Sequence, residues 1–561
     1  MTIIGIVGMG PRGSSLLERL ITHIIETDSQ NIVEIFLFEK EQEFGPGCHY
    51  TSLPGDLLTN TIAGQMTMYF GDEMKAHGPV HEGDCLYDWH RKNRNTDTKI
   101  NDYLTRRELG GYLHDFYIRQ IARMKKLNIR FHQICEEVVD VISYSDWVEI
   151  HTEKSQYIVS QTILCIGHQA SDLKDDEIYD NFLDYDALER IECNQSVAIQ
   201  GMGLSACDVI SRFTEGRGGR YERVEDNKLR YVPSGKEPKL HLFSRSGIFL
   251  AGRAHNPDHN FIYSPIYFTK DNIEALRRSK GALDFDSDVL PLLKQELEHA
   301  YAIKTGGKKL EVELFLNPEK RIDGMTQDAY RNSFLSYLRW DIEECAMGKL
   351  DSAYKFCQDA IRDMRDQFRA MIDFRGLSDE SYHRFQSYWQ AKLLKICVGP
   401  PYIRLMQIEA LIEAGICSID HAFNPRVEKR NGQYALFCDF GNECKNTLVD
   451  HVVKARTPSM NLCDTPNPLT CNLLRRFKPF IVGGRQYGGL EINHYYEVHH
   501  ADGEVCYNTH AFGIPSEGSK YFTLVLGRPN MVSTFLLDSN NLAEIVLDKI
   551  FTKQKPLLAV K

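Results

Sequence analysis

Several features are missing from this sequence, and each absence removes a class of protein. No run of about 18 or more apolar residues occurs, so no membrane span is expected. Met1-Thr2-Ile3-Ile4-Gly5 passes straight into a patterned strand, with neither a basic leader nor a cleavage site, which points to a cytoplasmic chain. No long Lys/Arg run offsets the acidic excess of 77 Asp and Glu over 66 Lys and Arg. A net charge of -11 repels a phosphate backbone, so nucleic acid is not an expected partner. The 15 Cys are scattered singly, without a C-x-x-C pair or a Cys/His grouping at zinc spacing. That excludes disulfide-reductase chemistry, offers no metal site, and predicts reduced, mostly buried thiols.

What is present is a long chain of globular composition. Its 561 residues are too many for one hydrophobic core, so two or three domains are expected.

Ile3, Ile4, Ile6 and Val7 form a short apolar strand that runs into Gly8-Met9-Gly10-Pro11-Arg12-Gly13. A helix follows, with Leu16, Leu17, Leu20, Ile21, Ile24 and Ile25 at helical spacing. This is G-x-G-x-x-G in the strand, turn and helix setting that dinucleotide binding requires. Gly8 permits the tight turn, Gly10 lets a pyrophosphate approach the backbone, and Gly13 lets helix and strand pack closely. Pro11 suits an early helical position, and the helix N-terminus offers N–H groups to an anion. A second strand, Val33 to Phe38, ends in Glu39-Lys40, which places an acid where adenosine ribose hydroxyls are read. These residues, with Arg12, predict a site for FAD.

Gly45-Pro46-Gly47-Cys48-His49-Tyr50 and Leu57-Leu58-Thr59-Asn60 make a glycine loop and an amide-bearing segment that could lie along the cofactor or be plain turns. Thr105-Arg106-Arg107 places cations at a helix start, where Arg106 could orient a phosphate or carboxylate or simply face solvent. Ser160 to Ile166 reads as a buried strand closing on Gly167-His168, again beside the cofactor.

A second fingerprint appears about 190 residues after the first. Val197-Ala198-Ile199-Gln200 leads into Gly201-Met202-Gly203-Leu204-Ser205-Ala206, a G-x-G-x-x-A turn opening another helix, with Ala206 at the close-packing position. One flavin and one nicotinamide explain the pair, because FAD carries the electron chemistry and NAD(P)H recharges it. The second unit lacks the acidic ribose reader. Its next strand, Lys239 to Phe243, ends in Ser244-Arg245-Ser246-Gly247, and a hydroxyl with a guanidinium suits a 2′-phosphate, so NADPH is expected. Arg220 to Val224 and Lys228 to Val232 read as a hairpin.

From about Val289 to Glu413 the pattern is helical, with Phe334, Leu338 and Ile342 on one face and Ile361, Met364, Phe368 and Met371 on another. Strand-like runs return at Gln433 to Phe440 and Tyr521 to Leu526, and Asn541 to Phe551 reads as a helix.

Together with Glu215-Gly216-Arg217-Gly218-Gly219-Arg220, Gly399-Pro400-Pro401 and the tail His510 to Gly518, these motifs make the chain resemble the bacterial FAD/NAD(P)-binding protein family. Members of that family look related to flavin N-hydroxylating and Baeyer-Villiger monooxygenases, and some similar proteins are amino-acid N-monooxygenases. The resemblance implies an α/β fold with two Rossmann-like dinucleotide-binding domains and a largely helical insertion. It implies a split FAD domain, 1–190 joined by 431–561, around an NAD(P) domain at 191–285 with a helical insertion and return at 286–430. Two departures stand out. Thr105-Arg106 replaces the usual Pro-Arg, and Cys165-Ile166-Gly167 replaces Ala-Thr-Gly, so that Thr162 or backbone groups would stand in for the lost hydroxyl.

The leading expectation is an NADPH-dependent flavin monooxygenase that hydroxylates the nitrogen of a small polar amine or amino acid, with O2 as co-substrate. Asn60, His49 and His168 are the polar candidates near the flavin, and Arg106 a carboxylate clamp. The alternatives are a reductase or oxidase without oxygen insertion, and a nucleotide-binding protein whose FAD is structural.

Overall fold

The computed structural model describes residues 2–27, 33–168, 178–179, 184–322, 326–441, 443–456, 460–464 and 466–554. Two parallel sheets carry the two glycine turns. In the first, Thr2–Val7 lies between Val33–Glu39 and Gln161–Leu164 and runs parallel to both. Arg130–Cys135 extends one side and Val505–Ala511 the other, both parallel, with Glu497–His499 antiparallel at the edge. A strand from the far end of the chain thus completes the N-terminal sheet. Ile4, Ile6, Ile35, Leu37 and Ile163 are fully buried, as central parallel strands covered on both faces require. The helices Pro11–Glu26 and Thr534–Gln554 share that core through Leu16, Leu20, Leu542 and Val546, and Ser15 Oγ and Ser539 Oγ hydrogen-bond across them at 2.9 Å.

The second sheet is all parallel, in the order Cys417–Ser418, Lys239–Phe243, Ser196–Gln200, His451–Val453, Ile178–Tyr179. The helices Leu204–Phe213, Gln327–Met347 and Tyr402–Glu413 pack on it through Ile210, Phe334, Ile342, Leu405 and Ile408. A three-stranded antiparallel unit, Arg426–Arg430, Gln433–Phe440 and Glu443–Val449, adds Tyr434, Leu436 and Val449 to a small core with Ala198 and Phe243. The helical stretch breaks into short helices, among them Leu290–Thr305, Ala353–Asp363 and Arg365–Ile372, around a third core that also takes Phe480, Val482 and Tyr521 from the C-terminal part.

The structure shifts two readings of the chain. Position 431 falls in the turn of the Arg426–Arg430 hairpin, and the chain leaves the second sheet only after His451–Val453 has paired with Val197 to Ile199. Tyr521 to Leu526 is not a strand. The Tyr521 N–H goes to Asp373 Oδ1 at 2.7 Å, and those of Phe522 and Thr523 go to the Glu517 carboxylate at 2.9 Å, so buried carboxylates replace the ladder partners an extended apolar run would need. The Arg220–Glu225 and Lys228–Val232 hairpin forms as expected. Among the described residues, no helix is long and apolar enough to cross a membrane.

Candidate functional site

Each glycine of the first turn meets a different constraint. Gly8 has φ +95°, donates its N–H to the Phe38 carbonyl at 2.9 Å, and leaves a Cβ only 2.7 Å from the Cys165 oxygen. At Gly13 a Cβ would overlap the Gly8 carbonyl oxygen, which locks the helix onto the strand. Gly10 has an ordinary φ of -73°, but its Cβ would come within 3.2 Å of Gly47 Cα. Gly45 donates its N–H to the Met9 carbonyl at 2.7 Å, so the Gly45-Pro46-Gly47 loop docks against the turn. The helix starts at Pro11 with no side-chain cap, which leaves its first N–H groups available to an anion.

Glu39 accepts the Met9 N–H at 2.9 Å with one oxygen and the Lys40 N–H at 3.0 Å with the other. Burial raises its pKa, and these N–H donors hold the rise in check. The Lys40 side chain is exposed at the outer edge.

Two expected phosphate or carboxylate readers are committed elsewhere. Arg12 donates to the carbonyls of Thr523 at 2.7 Å and Phe535 at 3.5 Å, and lies over the Phe512 and Phe535 rings. Burial lowers its pKa to about 10. It ties the first helix to the C-terminal segment rather than facing the turn. Arg106 pairs with Asp208 at 2.9 Å, where burial works against its charge but Asp208 more than compensates and raises its pKa. It therefore bridges the helix Arg106–Lys126 to Leu204–Phe213, the helix of the second turn. Thr105 explains the departure from Pro, since its hydroxyl accepts the Glu108 N–H and the Glu108 carboxylate returns to the Thr105 N–H, a capping box. Gly110 on this helix leaves room for the His49 carbonyl, which a Cβ would overlap.

Asn60 lies next to Thr59, whose N–H bonds the Leu104 carbonyl at 2.9 Å, so the amide segment and the Arg106 helix start are adjacent. His49 Nδ1 and His168 Nδ1 are buried without hydrogen-bond partners, and burial lowers the His168 pKa. His49 draws the neighbouring Cys48 thiol down to about 7. Thr162 cannot replace the missing hydroxyl, because it is fully buried in mid-strand, facing Gly5. Buried imidazole nitrogens awaiting partners and a cradle that a Cβ at Gly10 would fill suit a bound dinucleotide.

In the second turn Gly201, at φ +138°, donates to the Phe243 carbonyl at 2.8 Å and would overlap the Ala455 carbonyl if it carried a Cβ. Gly203 precedes the helix and has no side-chain cap; Leu204 begins that helix, with Ser205 and Ala206 buried behind it. Leu250 covers Gly203, at 3.2 Å from where a Cβ would stand. The Ser244 hydroxyl accepts the Gly247 N–H at 3.1 Å and shapes the turn that presents Arg245, whose side chain is exposed.

Two features carried no sequence signal. The junction of the two units is partly ionic, with Arg212 on Asp56 at 2.9 Å and Arg404, itself held by Glu215 at 2.9 Å, on the Asp56 carbonyl, while Leu57 is buried in the second core. Beside it lies a narrow cleft whose walls include Gln65, Tyr103, Arg253, Asn256, Lys349 and Asp359. Gly399-Pro400-Pro401 supports that cleft, for the Pro400 carbonyl accepts the Arg253 N–H at 2.7 Å and Gly399 clears the Ala251 carbonyl.

Residues 5–169 match the family model described as FAD-NAD(P)-binding. The chain is an FAD- and NAD(P)-binding oxidoreductase. Across nearly its whole length it is similar to the nitrosuccinic acid synthase of Aspergillus oryzae, with 28% identity over 97% of this chain and 92% of that one. It is also similar to an L-aspartate N-monooxygenase (nitrosuccinate-forming) of Streptomyces cremeus, with 26% identity over 96% and 94%. Among solved structures, L-lysine 6-monooxygenase from Pseudomonas syringae aligns over 99% of both chains with 11% identity and a TM-score of 0.45.

Proposed function

We propose that this oxidoreductase is an FAD- and NADPH-dependent N-monooxygenase acting on the amino group of L-aspartate, with O2 as co-substrate. One observation carries the reading: a chain with two dinucleotide turns is similar, end to end, to proteins named for oxidising the nitrogen of L-aspartate or for making nitrosuccinate. Bound FAD supplies the redox chemistry, and NADPH recharges it.

Under this reading Gly8, Gly10, Gly13 and Gly47, with the start of the Pro11 helix, would hold the FAD pyrophosphate, and Glu39 would bind its adenosine ribose. Asn60, His49, Gly167 and His168 would face the flavin ring. Gly201, Gly203, Leu204 and Ser205 take the NADPH pyrophosphate, and Ser244 and Arg245 its 2′-phosphate. The Arg106 to Asp208 pair keeps the two helix starts in fixed relation.

The test is aerobic turnover of the FAD-loaded protein with NADPH and L-aspartate, read by mass spectrometry for N-oxidised product and by peroxide release. The ratio of NADPH consumed to amine lost distinguishes a single hydroxylation from oxidation on to the nitro level. Equal NADPH consumption with and without L-aspartate, all of it recovered as peroxide, supports an oxidase instead. A flavin that NADPH and NADH leave oxidised supports a structural cofactor.

A further inference from the structure

The cleft between the two units carries more positive charge than its own carboxylates balance. Arg253, Lys349 and Lys355 contribute to its walls, with side chains only 14%, 5% and 1% exposed, and Arg362, at 6%, stands behind Gln65 with both terminal nitrogens 3.4 Å from its side-chain oxygen. Lys355 has Asp341 to itself at 2.6 Å. The other three share Asp359 at 3.7 Å from Arg253, 3.2 Å from Lys349 and 3.6 Å from Arg362. Four cations thus meet two carboxylates. Arg528 lies nearby with its own carboxylate, Asp363 at 3.0 Å, and that pair leaves the excess unchanged. Buried charge without a partner is costly. Burial, with Arg253 and Arg528 close by, pulls the Arg362 pKa well below the usual arginine range.

A second observation points into the same cleft. Asn256 lines it, is 7% exposed, and its side-chain oxygen has no hydrogen-bond partner. That oxygen is an acceptor, suited to an amino group rather than a carboxylate.

The cleft also has a position. Gln65 and Tyr103 come from the segments that carry Asn60 and Arg106, whereas Arg253 and Asn256 follow Leu250, which covers the second turn. It therefore lies where the flavin and nicotinamide units meet.

We propose that this cleft is a binding site for a short amino dicarboxylate, with Arg253 and Lys349 taking the two carboxylates, Arg362 adding its charge from behind Gln65, and Asn256 taking the amino group. The assignment rests on the monooxygenase reading for its link to turnover, though not for binding itself. An amine must be uncharged to use its lone pair as a nucleophile, and a dicarboxylate with a neutral amine carries two negative charges. That matches the two cations left without a carboxylate here. The cleft has a volume of about 20 Å³, room for about one water, so admitting a ligand requires the Arg253 and Lys349 side chains to move apart.

Succinate, which has both carboxylates and no amine, tests the site by calorimetry and thermal shift on the FAD-loaded protein. Succinate should bind and raise Tm, while acetate at equal ionic strength does neither. Arg253→Gln and Lys349→Gln should each weaken succinate by about ten-fold or more at unchanged flavin content, and Arg253→Lys should recover part of the loss. Absence of succinate binding to the wild-type protein overturns the site, as does equal binding by both variants. If a variant fails to fold, the succinate and acetate comparison on the wild type decides. Succinate binding without L-aspartate oxidation removes the reaction and keeps the site. L-Aspartate oxidation without succinate binding does the reverse.

Discussion

Arg106, at the start of the helix Arg106–Lys126, and Asp208, within the helix of the second glycine turn, form an ion pair 2.9 Å long with the Asp208 side chain 6% exposed. An ion pair this enclosed fixes two elements relative to one another, because removing either partner strands the other charge.

Asp208→Asn should therefore lower stability by about 3 kcal/mol, seen as a lower Tm of the FAD-loaded protein. Its effect on function should be selective. FAD content is expected to hold, since no residue of the first turn is touched, while anaerobic bleaching by NADPH slows because the two units lose their fixed relation. A variant with unchanged Tm and unchanged bleaching rate would show that the pair contributes nothing to the junction.

Two glycines of the first turn should fail in different ways. Gly13→Ala drives a methyl group into the Gly8 carbonyl and should destabilise the N-terminal sheet by about 4 kcal/mol or more, giving little soluble protein. Gly10→Ala keeps an allowed φ of -73° and meets only Gly47 Cα at 3.2 Å. It should fold and yet lose FAD, because the methyl group fills the space a pyrophosphate needs. A fully yellow Gly10→Ala protein would show that the cofactor does not cross the turn at that point.

Acid should loosen the first sheet through His510, which is fully buried on the strand Val505–Ala511, with Nδ1 3.1 Å from the Tyr495 carbonyl. Burial, aided by the charge of Lys549, lowers its pKa from 6.5 to about 3. The unfolded chain therefore binds a proton below about pH 6.5 that the native protein refuses, and stability falls as pH drops from about 6.5 toward about 3. The full difference is about 5 kcal/mol, at about 1.4 kcal/mol for each pH unit. Urea unfolding between about pH 6.5 and 5 should show that slope, and His510→Asn should remove about one proton from it. An unchanged slope in the variant would mean that another group sets the acid sensitivity.

The glycine turns were legible in the sequence because each glycine answers a local demand: a positive φ at Gly8 and Gly201, a close approach at Gly10 and Gly13. Arg12 was not legible, for its acceptors at Thr523 and Phe535 lie 511 and 523 residues away along the chain. Arg106 looked like a ligand clamp for the same reason, as nothing local announces Asp208. Thr162 had the right chemistry in the wrong place, since its direction depends on strand register. The cationic cleft is the extreme case. Arg253 and Lys349 stand in connecting segments and Lys355 and Arg362 on the helix Ala353–Asp363, and only the fold gathers these elements at one cavity.

Under the proposed function, Arg245 sets the coenzyme preference. Ser244 ends the strand Lys239–Phe243 and its hydroxyl is engaged with the Gly247 N–H, so the guanidinium of Arg245, exposed on that turn, is the group free to meet a 2′-phosphate. No acid stands at this position to read a free ribose. A guanidinium and a phosphate dianion form charge-assisted hydrogen bonds worth about 1.5 to 3 kcal/mol, or about one to two decades in affinity. Arg245→Ala should accordingly raise the KM for NADPH by about ten-fold or more and leave that for NADH almost unchanged. Because the side chain is exposed, Tm and FAD content should stay at wild-type values. Equal loss with both coenzymes, or a lowered Tm, would show that Arg245 supports the loop rather than reading the phosphate.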